Sequence, residues 1–342
     1  MRLIKRLLYF TLTISLVILF SQCESNDKIY RPNLPEKLCS IGIIDANNLI
    51  RHISFEKSFQ IEYPNEVNDS LREFSFSIFS SQEELFSYKS DSTIKNIQDI
   101  RIPDSIKFNS GEKYFLKATE KSMPEISSEI TVPEPPAGLK YISIENEVIA
   151  SSRTQECGGF DTFKSIVLGI SFINKNIRKQ FYSLLLQGSG IVRGPGSGFG
   201  RETFLDFSIR ETNSPGFFAV MHGLTMFHFS CFGDWRFSYD KSPVSAYFID
   251  GSKIPDDTCY IMLSTQFQDG YSIYDALRSL KVTLLAIPEE LYIFEKSLNV
   301  YGRVSKDPFS EPINLDGNIA GGNGIFAICK SSEITINFAE GY

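Results

Sequence analysis

The 342-residue chain reads as mainly β: an N-terminal immunoglobulin-like sandwich, then a larger C-terminal β-rich domain with one short helix near 288–301. Three observations lead there. Aromatic residues reach 13%, with 29 Phe and 15 Tyr, and such side chains favour the pleated, half-buried surface of strands. Apolar residues alternate with polar ones in short runs bounded by turn residues. The stretch Pro133–Gly138 holds three prolines in four residues, which stops a sheet interior and makes a stiff connector.

Taken in order, the first element is a leader. Arg2, Lys5 and Arg6 precede the apolar run Leu7–Phe20, and Cys23 closes it. The run is shorter than the roughly 20 residues a membrane-spanning helix needs and suits the core of a secretory signal. A cysteine just past such a core is the lipidation site of a bacterial lipoprotein. Residues 1–22 therefore read as a signal peptide, and Cys23 as the lipidated N-terminus of a tether spanning 23–37. An ordinary signal peptide with an incidental cysteine is the alternative.

Residues 38–132 read as the sandwich. Cys39–Ile44 and His52–Ile61 are two strands around the turn Asp45-Ala46-Asn47-Asn48, with Ile53 and Phe55 on one face. In Glu73–Phe79, Phe74, Phe76 and Ile78 face one way and Ser75 and Ser77 the other. Lys113–Thr119 and Glu129–Val132 complete this part, and 133–138 is a linker. Residues 139–342 form the second domain. Its candidate strands are Ser165–Ile173, Phe181–Leu186, Thr203–Arg210, Leu224–Cys231, Trp235–Tyr239, Tyr260–Thr265, Ser279–Ala286, Ile325–Cys329 and Ile334–Phe338. Pro288–Tyr301 reads as a helix. Pro288 suits its first position, Glu289 and Glu290 suit the positive end of its dipole, Leu291, Phe294, Leu298 and Tyr301 share a face, and Gly302 stops it.

Charge and composition exclude several functions. The net charge is −7 and becomes −10 once the three basic residues of the leader are removed, which argues against nucleic acid and against a basic face on anionic lipid. Cys39, Cys157, Cys231, Cys259 and Cys329 are widely spaced, with no Cys-x-x-Cys to suggest zinc. One or two disulfides are permitted in an oxidising envelope, and buried thiols acting as small hydrophobes are the other reading.

Chemistry-bearing patterns are sparse. Gly188, Gly190, Gly194, Gly196, Gly198 and Gly200 make 188–200 glycine-rich, with Arg193 as a lone cation. The stretch lacks the Gly-Lys-Ser/Thr ending of a phosphate loop, so it reads as a surface loop and a candidate partner contact. His222 and His228 share a strand face but would lie about 20 Å apart at ~3.3 Å per residue, too far for one metal ion. Glu83-Glu84, Asp256-Asp257 and Glu289-Glu290 are adjacent acids of the kind found on solvated surfaces. No Gly-x-Ser-x-Gly elbow is present, and no cofactor is implied. Exposed aromatics are the more plausible binding feature. Ser70, Ser92 and Ser105 each follow Asp and precede Leu, Thr or Ile, a pattern resembling an O-glycan acceptor.

Three segments together resemble a Bacteroidota lipoprotein family catalogued as domain of unknown function 4249. The first is Lys37–Asp45. The second is Thr131-Val132-Pro133 with Gly169–Phe172 and Phe181-Tyr182. The third, and most distinctive, is Leu298–Gly302, Asp307–Pro312 and Asn318-Ile319 to Asn323–Ala327. Asn174 stands where that family often carries Asp, and Cys39 where a β-branched residue is common. The resemblance implies a lipid-anchored, surface-exposed outer-membrane protein beside a TonB-dependent transporter. It would act as a non-enzymatic accessory or bind a small nutrient or peptide. An envelope hydrolase with an unrecognised carboxylate site is the rival. For the closing segment, fold closure is preferred over a ligand site.

Overall fold

The computed structural model describes residues 37–47, 51–57, 70–90, 94–95, 97–153, 160–174, 180–192, 201–203, 208–212, 214, 217–220, 245–255, 257–268, 279–304 and 315–337. In chain order the first strands are β1 (Leu38–Asp45), β2 (Arg51–Lys57), β3 (Ser70–Leu71), β4 (Phe74–Ser80), β5 (Glu84–Ser90), β6 (Ile94–Lys95), β7 (Ile97–Arg101), β8 (Lys113–Glu120) and β9 (Met123–Thr131). There follow β10 (Ala137–Arg153), β11 (Phe160–Ile173), β12 (Phe181–Val192), β13 (Arg201–Thr203), β14 (Ser208–Thr212), β15 (Phe217–Val220), β16 (Ser245–Asp250), β17 (Thr258–Gln268), β18 (Ser279–Ile287), the helix α1 (Glu289–Val304) and β19 (Asn323–Asn337). The fold is mainly β, as expected.

A nine-stranded sheet organises it, in the order β15-β16-β12-β18-β19-β1-β2-β7 with β13 beside β12. The strand β19 is shared. Its first half, Asn323–Cys329, runs parallel to β1. Its second half, Lys330–Asn337, pairs antiparallel with β18. Two smaller sheets complete two sandwiches: β5-β4-β8-β9 and β10-β11-β17-β14.

Alternation explains how one sheet serves three cores, because successive strand residues face opposite sides. Leu38, Ile44, Ile53, Phe55, Phe326 and Ile328 face β4, β8 and β9, where Phe74, Phe76, Ile78, Leu116 and Ile126 meet them. The Phe55 ring lies 4.8 Å from both Phe74 and Phe76, and each such buried ring contributes about 2 kcal/mol. Farther along the sheet, Tyr182, Leu184, Leu280, Val282 and Leu284 face Leu168, Ile170, Phe172, Ile261 and Leu263. The intervening residues Ile43, Phe181, Leu285, Ile325 and Ala327 point to the other side, where Leu291, Phe294 and Leu298 of α1 cover them.

Three expectations change. The segment 133–138 does not divide the chain into independent bodies, since β1 and β2 lie in the same sheet as β12, β18 and β19 and residues 36–342 form one compact unit. Glu134 is also held, its carbonyl accepting a bond from Gln180 Nε2 at 2.8 Å. The helix passes through Gly302 to Val304, and Tyr301 is exposed rather than in the buried stripe. The separate strands read at 325–329 and 334–338 are one continuous strand. Among the described residues no helix is long and apolar enough to cross a membrane.

Candidate functional site

The described surface carries an apolar strip on the outer face of the β10-β11-β17 sheet. In β11, Leu168, Ile170 and Phe172 point inward and are buried, which turns Gly169, Ser171 and Ile173 outward. Register then places Met262 beside Gly169, Tyr260 beside Ser171 and Thr258 beside Ile173. A bulge between Tyr141 and Ser143 brings Ile142 over the same place. A Cβ added at Gly169 would fall 2.9 Å from Ser143 Oγ, 3.2 Å from Met262 Sδ and 3.4 Å from Ile142 Cβ, so the neighbouring side chains lean across this glycine. Ile142 is 46% exposed, Tyr260 50% and Ile173 40%. Large, half-exposed apolar side chains grouped on one face are the kind of surface that binds a partner.

A second exposed pair, Ile293 and Val300, lies along α1 on the side turned away from Leu291, Phe294 and Leu298, and Tyr301 is exposed near the helix end.

The buried polar groups act as internal ties. Arg51 donates to the carbonyls of Pro103, Ile106 and Ala46 and lies 3.7 Å from Asp104. This holds the β1–β2 turn against the loop after β7. Glu120 lies 3.5 Å from Lys57 and accepts bonds from the backbone of Arg72 and from Ser122. Burial pushes its pKa up, but the Ser122 and Arg72 bonds and the Lys57 charge outweigh that and hold it below the ordinary carboxylate value. Asn174 donates to Gly251 O at 2.9 Å and accepts from Tyr182 OH at 3.0 Å. Asp250 accepts from the backbone and hydroxyl of Ser252. Burial, with Asp250 nearby, pushes Tyr292 up to about 12.

The distinctive closing segment is also a tie. Asn318 brackets one residue of β19, donating from Nδ2 to Phe326 O and accepting at Oδ1 from Phe326 N, both at 2.8 Å. Ala320 and Ser127 exchange backbone bonds of 3.0 and 2.7 Å, which attaches the segment to β9. A side chain at Gly324 (φ +113°) would collide with Ser40 O, and one at Gly322 with Leu38 O. Fold closure around β1 is what these residues do.

The candidate residues fall as follows. Gly188 and Gly190 are not in a loop: they lie within β12, paired with Leu280 and Thr203. Pairing with β18 up to Ser189 and with β13 from Gly190 carries the glycine-rich run on as a strand. Arg193, Gly194, Gly196, Gly198 and Gly200 lie outside the described residues, as do Cys23, Cys157, Cys231, His222 and His228. Cys39, Cys259 and Cys329 are buried thiols. Burial pushes Cys259 up to about 12 and Cys329 well above 9. Glu83, Glu84, Asp257, Glu289 and Glu290 are exposed. Among the described residues no three His, Cys, Asp or Glu side chains gather as metal ligands would.

A family model for "Domain of unknown function (DUF4249)" matches residues 52–335. The chain belongs to that family. Comparison of this DUF4249 protein with curated proteins finds no match. Among solved structures it shows a likeness to the major pilin SpaA of Corynebacterium diphtheriae. The two share 6% identity over 72% of this chain and 62% of the pilin, with a TM-score of 0.21. The chain thus spans under two thirds of that pilin's length. A second likeness is to the collagen-binding domain of the Erysipelothrix rhusiopathiae surface protein RspB, at 8% identity over 88% of this chain and 96% of that domain, with a TM-score of 0.15. The DUF4249 match includes the strip residues Ile142, Ile173 and Tyr260 and the closing segment. The strip was not singled out from sequence, although Gly169 and Ser171 alternating with Leu168, Ile170 and Phe172 mark an inward and an outward face.

Proposed function

We propose that this protein is an outer-membrane lipoprotein anchored through Cys23 that serves a TonB-dependent transporter as a non-enzymatic accessory. The observation that carries the reading is the exposed strip of Ile142, Ile173 and Tyr260. A lipid anchor confines such a strip to the membrane surface, where a barrel partner stands at high effective concentration. Of the described buried acids Asp45, Glu120, Asp250 and Glu295, three hold turns: Asp45 accepts from Asn47 N, Glu120 from Ser122 and Asp250 from Ser252.

Gentle extraction and crosslinking from the native membrane tests this. The wild-type protein is expected to copurify with a β-barrel. Ile142→Ser with Tyr260→Ser changes exposed side chains. It should weaken that association about thirtyfold if the pair contributes ~2 kcal/mol, as interface anchors do. Cys23→Ala should release the protein from the membrane. Emergence of the intact protein alone, or substrate turnover by the Cys23→Ala protein, would overturn the proposal.

A further inference from the structure

We infer that β1 is a mechanical clamp, which keeps the body folded when the N-terminal tether and the second sandwich are pulled apart. The anchor of the preceding section supplies the tension; the clamp itself is built into the strands.

The geometry begins with β1, which starts at Leu38, so any pull on the preceding chain reaches this strand first. It is an interior strand. Seven positions pair with β19, which runs parallel, and seven with β2, which runs antiparallel. The strand β19 then continues beyond Cys329, past the Asp45 end of β1, and becomes part of the second sandwich through its pairing with β18. A pull on Leu38 against the second sandwich is therefore directed along the common axis of β1 and β19, in opposite senses on the two strands.

Ladder hydrogen bonds run across the strands, so such a pull shears every rung together instead of opening them one at a time. Sliding β1 would also draw Leu38 and Ile44 from one core and Ile43 from the other. The start of the strand is clasped as well. Gly322 and Gly324 press against the carbonyls of Leu38 and Ser40, Ala320 is bonded to β9, and Asn318 brackets Phe326. The most distinctive motif of the sequence thus surrounds the point where tension would arrive.

Single-molecule force spectroscopy on the mature chain carrying Cys23→Ala tests this in two directions. One handle precedes Lys37 in both. In the shear direction the second handle follows Asn337. In the peeling direction it is placed at Ser122, which lies at the Leu38 end of the sandwich, because Leu38 pairs with Lys57, Lys57 meets Glu120, and Glu120 binds Ser122. Neither second-handle site alters β1, β2 or β19, and circular dichroism of each handled protein before pulling checks that both are folded. Forced rupture reports the barrier to unfolding. The expected result is a rupture force several-fold higher in shear than in peeling. Equal forces, or release of the second sandwich before β1 in the shear direction, would overturn the clamp. No membrane is involved, so failure here is separate from failure of the anchor.

Discussion

Replacing Asn318 by alanine isolates the contribution of the closing segment. Phe326 is buried, and the outer side of β19 at that level faces the Asn318 side chain because β18 joins β19 only from Lys330 onward. Alanine leaves one N–H and one C=O without these partners. Each orphaned buried group costs about 1–3 kcal/mol. Asn318 is only half-buried, so water reaches part of the space, and the lower half of that range applies: about 2–4 kcal/mol for the pair. Urea unfolding followed by far-UV circular dichroism should show the midpoint falling by that energy divided by an unchanged slope. Asn318→Asp keeps the acceptor for Phe326 N but sets a carboxylate against Phe326 O, so it should be no better than alanine. A midpoint within error of wild type for Asn318→Ala would refute the reasoning, since the Phe326 groups would then be satisfied elsewhere.

Other expectations follow from the buried ties. Glu120→Gln leaves Lys57 buried without its charge partner and should cost about 3 kcal/mol at neutral pH. The folded-state pKa of Glu120 is depressed, so its contribution is present above the ordinary value of 4.5 and is lost as pH falls through the lower folded value. Urea midpoints between pH 7 and 3 should show this acid loss in wild type, and less of it in Glu120→Gln. Asn174→Asp removes the donor to Gly251 O and should cost about 2 kcal/mol at neutral pH. Because protonation restores a donor, the deficit should shrink as pH falls; a pH-independent deficit would count against the assigned bonds. Cys39, Cys259 and Cys329 should resist alkylation in the native protein and react in denaturant, which peptide mapping by mass spectrometry reads directly.

Local structure was legible where burial imposed a clean period. The alternation of Phe74, Phe76 and Ile78 with serines marked β4, and Leu291, Phe294 and Leu298 marked α1. Edge strands were harder. In β5 and β10, Glu84, Lys89, Lys140, Glu145 and Glu147 interrupt the pattern, and neither strand was recognised. A polar run, Lys330-Ser331-Ser332-Glu333, made β19 look like two strands, because there it leaves one core before joining the next. Gly302 did not end the helix, since a single glycine costs only about 1 kcal/mol there. The pairing of β1 with β19 had no local signal at all, and the strip at Ile142, Ile173 and Tyr260 depends on which strands become neighbours.

The shared strand also sets a schedule for folding. Cys39 pairs with Asn323, so β1, joined early to β2 on one side, waits for its other neighbour until residue 323 has been made. At ribosomal rates that wait is on the order of tens of seconds. Neither sandwich can finish its large sheet meanwhile, because both draw on β19. Such non-local pairing makes for slow folding, and it keeps the early chain open and threadable until the end. A chain broken off before residue 323 would leave β1 and β18 with bare edges together, so truncation should yield no stable half.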